Sequence, residues 1–145
     1  MRILIGMVLA FICVGCSSVA ESDFELQLTE SRIQQAYKRG DLGEAEALLR
    51  KRIKRQGSDS ASWLMLGKVL MRTHDYTAAQ QAYQTATRLD PNHSSAWHQL
   101  AVSHLRLATE ALIEADANMD NEQPLPLLLW LLELQTGKPL EPLEL

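Results

Sequence analysis

The sequence lacks the residue groupings on which most catalytic and cofactor-binding classes depend. Its two cysteines, Cys13 and Cys16, both lie in or just after the N-terminal apolar stretch, with no second Cys or Cys/His pair at ligand spacing to complete a metal site. Its seven glycines form no phosphate-cradling loop, and no G-x-S-x-G is present. The four histidines, His74, His93, His98 and His104, fit neither H-E-x-x-H nor any other ligand spacing. His98 and His104 are six residues apart, which places them on opposite faces of a helix. No apolar run reaches the roughly 18 residues of a spanning helix. An excess of positive charge is also missing, since the formal net charge is −4, which disfavours nucleic acid as a partner. The expectation is a protein without enzymatic activity, cofactor or metal.

What the sequence does contain is centred on Ser60 to His93. Trp63, Leu66, Val69 and Leu70 recur at helical spacing between Ala61 and Arg72. Thr73-His74-Asp75 interrupts the pattern, and Asp75 is suited to cap a second helix from about Tyr76 to Leu89. Tyr76, Ala79, Ala82, Tyr83 and Ala86 share one face of it. Asp90-Pro91-Asn92 ends it, because proline removes a donor and biases the preceding residue away from helix. Gly67 and Ala79 are small where two antiparallel helices approach closely. Counting Ser60 as position 1, Trp63, Leu66, Gly67, Ala79, Tyr83, Ala86 and Pro91 stand at 4, 7, 8, 20, 24, 27 and 32. This stretch resembles the tetratricopeptide repeat, whose period is about 34 residues. The resemblance implies an all-α solenoid of helix-turn-helix units that binds protein segments, since a single helix pair needs neighbours to bury its apolar faces.

Flanking copies are weaker. Shifted back by 34 residues, Ala45 falls on Ala79, Leu49 on Tyr83 and Gly40-Asp41 on His74-Asp75. The Trp and Gly positions are then Thr29 and Ile33, a departure expected of a terminal unit. Leu42 to Arg55 is its second helix, with Ala45, Leu48, Leu49 and Ile53 on one side. A third copy starts at Ser94 with Trp97, Leu100 and Ala101 in place. Its register then breaks, because Asn118-Met119-Asp120-Asn121 arrives four residues early, about one helical turn. We expect one turn to be deleted near Leu107 to Thr109, leaving a short second helix from about Glu110 to Met119. The rival is one unbroken helix from Ser95 to Ala117, since no Gly or Pro marks a turn. Pro124 to Leu134 is apolar almost all round, as buried helices are. With Trp130 33 residues after Trp97, it reads as the first helix of an incomplete fourth unit that caps the stack, or as a partner or dimer interface. Pro126 suits its first turn, and Gly137 with Pro139 its stop.

The N-terminus reads as a leader: Arg2, the apolar run Ile3 to Val14, and Val14-Gly15-Cys16-Ser17. It resembles a bacterial lipoprotein signal, with Cys13 where that family prefers leucine. The resemblance implies that Cys16 is lipidated as the first mature residue and that Ser17 sorts the protein to the periplasmic face of the outer membrane. An ordinary secretory signal is the alternative. The domain reading is a signal at 1–15, a tether at 16–28, a repeat domain at 29–137 and an extended tail at 138–145. Within the tether, Ser22-Asp23-Phe24-Glu25 fits a capping box, so the first helix starts there or near Thr29. After processing, Cys16 is the sole cysteine, which excludes an intramolecular disulfide.

In repeats of this family the first helix of each unit lines the concave face, chiefly from positions 2, 5, 6, 9, 12 and 13. Carried over, these are Ala61, Leu64, Met65, Lys68, Met71 and Arg72 in the second unit. In the third they are Ser95, His98, Gln99, Val102, Leu105 and Arg106, and in the first Gln34, Tyr37 and Lys38. Position 13 is basic three times, at Lys38, Arg72 and Arg106, and Lys68 lies one turn before Arg72. The methionines suit an adaptable apolar surface. Such a groove would take an acidic peptide; in the alternative its apolar residues pack on the C-terminal helix. Charge is uneven along the chain. Eight of the 14 basic residues lie between Arg32 and Arg55, whereas eight acidic residues and one basic lie from Glu110 onward. The basic run fits a helix C-terminus, contact with anionic lipid near the anchor, or head-to-tail association with the acidic end. Together these features imply a membrane-anchored periplasmic adaptor, analogous to the assembly lipoproteins of pili and secretion systems. A module that dimerises through Leu125 to Leu134, and an accessory factor resembling the repeat domains of cytochrome c assembly proteins, are the alternatives.

Overall fold

The structure, a computed structural model, describes residues 25–118 and 126–137. The leader, Cys16 and the tail at 138–145 lie outside the described residues. Six helices make up the described chain: α1 (residues 25–39), α2 (Leu42–Arg55), α3 (Ser60–Arg72), α4 (Tyr76–Leu89), α5 (Ser94–Asn118) and α6 (Pro126–Thr136). The all-α expectation holds. Residues 25–28, read above as tether, are helical. A start near Thr29 is therefore excluded, and the Thr29 hydroxyl donates to the Glu25 carbonyl from inside the helix. The described residues form two compact units, and the division falls between Lys51 and Arg52, at the last turn of α2.

The turn between α1 and α2 and the turn between α3 and α4 are built alike, 34 residues apart. In the first unit Gly40 takes a left-handed conformation (φ 81°). Its N–H donates to Tyr37 O, the Asp41 N–H donates to Ala36 O, and the Asp41 carboxylate accepts from the Glu44 N–H. In the second unit His74 takes the left-handed role (φ 63°), its N–H donates to Met71 O, and the Asp75 N–H donates to Leu70 O. The Asp75 carboxylate accepts from the Ala78 N–H at 3.0 Å. A left-handed residue folds the chain back over the last helical carbonyls, and an aspartate then satisfies a free N–H of the next helix. Glycine does this without strain. Histidine is among the few other residues found there, and its ring packs edge-on to Tyr76 with Nδ1 2.7 Å from the phenol oxygen.

Within residues 52–145, α4 packs against both α3 and α5. Its buried face is Ala79, Ala82, Tyr83, Ala86 and Thr87, small residues around one large ring. Gly67 is what lets α3 approach. A Cβ at that position would lie 2.3 Å from Tyr83 Cε1. Higher on α3, the Ser60 hydroxyl donates to the Ala86 carbonyl at 3.1 Å. Leu64, Leu66, Val69 and Leu70 complete the buried side of α3, each contributing roughly 1.5–3 kcal/mol on burial. The same positions are buried in the first unit, where Ile33, Ala36, Ala45 and Leu49 are at most 1% exposed. The repeat tryptophans also act alike: Trp63 Nε1 donates to Gly57 O and Trp97 Nε1 to Pro91 O, each at 2.9 Å. Each indole pins the loop that leads into its own helix.

The third unit departs from expectation. No turn separates Glu110 from the preceding residues, and α5 runs unbroken for 25 residues. The deleted-turn reading is thus corrected in favour of the rival. The physical reason is local. Residues 107–118 are mostly Ala, Leu and Glu, good helix formers, and no residue there has the left-handed geometry of Gly40 or His74. Thr109, the one threonine among them, donates its hydroxyl to Leu105 O and is satisfied inside the helix. Helix α6 begins at Pro126 and stops at Gly137 (φ 65°), as anticipated. It packs on α5. Gln135, near its end, reaches Leu105 and Thr109, well back from the α5 terminus, so α6 runs antiparallel to α5. It closes a hairpin with α5 and does not begin a fourth unit in register, a second correction.

Candidate functional site

Helix α3 buries one side against α4, and a second side is partly exposed. Along that second side Ala61, Met65, Lys68 and Arg72 follow at i, i+4, i+7 and i+11, the spacing of one helical stripe. Ala61 and Arg72 are exposed, and Met65 and Lys68 are half-buried. Met71 is half-buried on the next stripe. Leu64 is 7% exposed; it contributes packing beneath this surface and offers little area to a ligand.

The candidates on α5 lie to one side of its buried residues Ala96, Leu100 and Ser103. His98 is exposed, and Ser95, Gln99, Val102, Leu105 and Arg106 are half-buried. Helices α3 and α5 touch, so both stripes belong to one body with α4 behind them. The amide of Gln135 donates to Leu105 O at 3.2 Å and to the Thr109 hydroxyl at 2.5 Å. Helix α6 therefore closes over α5 at the level of Leu105. It takes part of the surface that the resemblance assigned to a ligand, while His98, Gln99 and Val102 lie nearer the α5 start.

Lys38 belongs to the first unit, where it is exposed near the end of α1; Tyr37 beside it is half-buried. Gln34, also half-buried, donates its amide to Glu30 one turn earlier. Chemically, the α3–α5 surface offers three cations, Lys68, Arg72 and Arg106, among apolar side chains. Guanidinium and ammonium groups bind carboxylates through charge-assisted hydrogen bonds, and arginine does so in a bidentate way. Among the described residues no group of three or more His, Cys, Asp and Glu is placed to hold a metal ion.

Sequence reasoning missed one built feature beside this surface. Asp59 caps α3 by accepting from the Ala61 N–H at 3.1 Å and from the Ser62 hydroxyl at 2.5 Å. It also pairs with Arg52 at 2.9 Å, with the two side chains only 24% and 17% exposed. The basic run at Arg50 to Arg55 is therefore partly structural. Arg50 is held by Glu46 as well, while Lys51, Lys54 and Arg55 are exposed. The signal was present: an aspartate directly before Ser60, at the start of an apolar-periodic segment, is an N-cap signature.

Residues 36–102 match the family model described as tetratricopeptide repeat. That span runs from the end of α1 to the first half of α5, so it holds the turn pair, both latching tryptophans and the Gly67–Tyr83 contact. A tetratricopeptide-repeat region points to protein–protein interaction. No curated protein matches the chain.

Proposed function

We propose that the chain is an interaction module of the bacterial envelope, anchored through Cys16 at the periplasmic face of the outer membrane. It holds an acidic peptide segment of a protein partner on the partly exposed stripes of α3 and α5. The observation that carries this reading is the stripe Met65, Lys68 and Arg72. It is cationic and apolar at once, and it lies on the side of α3 turned away from α4. The partner's carboxylates would meet Lys68, Arg72 and Arg106, while Met65, Met71 and Val102 supply apolar area. Assembly of a pilus- or secretion-type complex is the pathway that best suits an anchored adaptor of this kind, by analogy alone.

The test uses two peptides of about 15 residues with the same apolar residues, one flanked by Asp and Glu and the other by Lys and Arg. Exposed ion pairs are worth only ~0–1 kcal/mol each, so one charge reversal weakens binding modestly. The double variant Arg72→Glu with Arg106→Glu should lower affinity for the acidic peptide at least about tenfold, which is 1.4 kcal/mol, with the difference shrinking in salt. Equal affinities for wild type and double variant would refute the groove. The anchor is tested separately. Wild-type protein made in bacteria should partition into detergent and Cys16→Ser into the aqueous phase, because stable attachment needs more than one acyl chain. Wild-type protein found wholly in the aqueous phase would refute lipidation.

A further inference from the structure

Helix α5 lacks the cover that its counterpart α3 receives. On α3, Gly67 and Leu70 are buried, with the Tyr83 ring of α4 against Gly67. The equivalent residues of α5 are Ala101 and His104, and both are exposed. Trp97, the counterpart of the half-buried Trp63, is 52% exposed. Trp97, Ala101, His104 and Ala108 follow at i, i+4, i+7 and i+11, so they make one exposed stripe. The third unit has no second helix to lie on it, because α5 runs on unbroken. Helix α6 does not take that place. It meets α5 at Leu105 and Thr109, roughly a quarter-turn around α5 from the stripe. On the other flank Gln80 of α4 reaches His104, with Nε2 3.0 Å from Nδ1. The stripe is thus the floor of a trough between α4 and α6, open among the described residues.

Helix α6 carries the opposite kind of face. Leu128 and Leu131 are buried, and Gln135 ties the same side to α5. Leu127, Trp130 and Leu134 lie about a quarter-turn from that side and are 54%, 57% and 57% exposed. Each stripe is displaced from the α5–α6 contact against the winding of its own helix: Ala101 precedes Leu105 on α5, and Trp130 precedes Leu131 on α6. For two antiparallel helices side by side, displacements of the same sense lead to the same side of the pair. The ridge of Leu127, Trp130 and Leu134 therefore stands beside the trough, on one surface.

That surface is its own complement. The ridge is large where the trough is short of side chain, and Ala101 and Ala108 let a ridge approach closely. Neither stripe contains lysine, arginine, aspartate or glutamate, so two copies meet without like-charge repulsion. Exposed aromatic residues with charge excluded are the composition of an interface core. In a two-fold pair one patch serves twice, each copy giving its ridge and receiving the other's. At their present exposures Trp97, Leu127, Trp130 and Leu134 alone would bury on the order of 1,000 Å² over both copies, where specific interfaces begin.

We infer that the chain forms a two-fold dimer through this surface, with α6 of each copy lying in the α5 trough of the other. The incoming α6 takes the place of the second helix that the third unit lacks. This surface is separate from the cationic stripe of α3, and the inference rests on neither the groove nor the anchor.

The test is sedimentation equilibrium of the whole chain in a density-matched non-ionic detergent, which keeps the protein soluble with or without acyl chains. The expected result is a reversible two-chain species. Trp130→Ala removes the ridge and Ala108→Trp fills the trough, and each should raise the dissociation constant about tenfold or more, as loss of a central contact does. An equal mixture of the two variants should associate more tightly than either alone, because the filled trough of one then meets the lowered ridge of the other. Circular dichroism should be unchanged in both, since these side chains are largely exposed. A dimer indifferent to both substitutions, or one that gains nothing on mixing, overturns the inference. So does a single chain at every concentration. In that case Trp130-dependent binding of either peptide above would make a partner's helix the occupant, and dimerisation that appears only after removal of residues 138–145 would make the tail the occupant.

Discussion

Replacing Gly67 with alanine lowers the stability of the repeat region by about 1–2 kcal/mol, and replacing it with leucine prevents α3 and α4 from packing. In a solvated helix the first change would help, since alanine is preferred over glycine by up to ~1 kcal/mol. Here the added carbon meets Tyr83 Cε1, Cδ1 and Cζ at 2.3, 2.6 and 2.8 Å. The ring cannot swing away, because Tyr83 is 0% exposed among Ala79, Ala82 and Ala86. Either the helices separate or the ring leaves its rotamer, and overpacking of this kind typically costs ~1–3 kcal/mol before the helix gain is subtracted. For a domain of this size a loss of 1 kcal/mol lowers Tm by roughly 4–8 °C, so the alanine variant should melt about 10 °C early. Tyr83→Leu removes the ring atoms in question. The double variant should therefore lose less than the sum of the two single changes, with a coupling of about 1 kcal/mol. An alanine variant that melts at or above the wild type would show that this contact does not set the distance between α3 and α4.

Gly67 also marks how much of the fold could be read in advance. Helices α2 and α4 fall where periodicity and caps put them, at Leu42–Arg55 and Tyr76–Leu89. Their ends are written in local chemistry: Gly40 and Asp41, Asp75, then Asp90 and Pro91. The 34-residue comparison failed where it was extended without such marks. At Leu107 to Thr109 the period asked for a turn, but nothing left-handed or helix-breaking was there to make one. At Trp130 the spacing matched a repeat tryptophan, yet the direction of α6 is set by tertiary contacts of Leu128, Leu131 and Gln135, which no local pattern records. The candidate surface was legible in the same partial way. Met65, Lys68 and Arg72 share a stripe by helical geometry alone. That Leu64 lies beneath it and that Gln135 closes on Leu105 follow only from packing.

Asp59→Ala costs about 2–3 kcal/mol, more than any other change to a polar group in this unit should. Three interactions converge on that carboxylate. It caps α3 through the Ala61 N–H, and loss of an N-cap is typically worth ~1 kcal/mol. It accepts from Ser62, itself 2% exposed, so removal takes a partner from a buried hydroxyl. It also faces Arg52, whose side chain is 17% exposed; hydrogen bonds to charged groups contribute ~1.5–3 kcal/mol where solvent is largely excluded. These contributions are coupled through one side chain and do not simply add. Two further substitutions separate them. Asp59→Asn keeps a capping oxygen and loses the charge, so it should recover roughly 1 kcal/mol relative to alanine. Arg52→Met keeps the cap and the packed stem and loses the ion pair. Urea melts of the four proteins at low and high salt would rank wild type, then Asp59→Asn and Arg52→Met, then Asp59→Ala. The gap between wild type and Arg52→Met should persist in salt, because a pair this shielded is poorly screened. If Asp59→Ala unfolds at the wild-type midpoint, the carboxylate is not what joins the end of α2 to the start of α3.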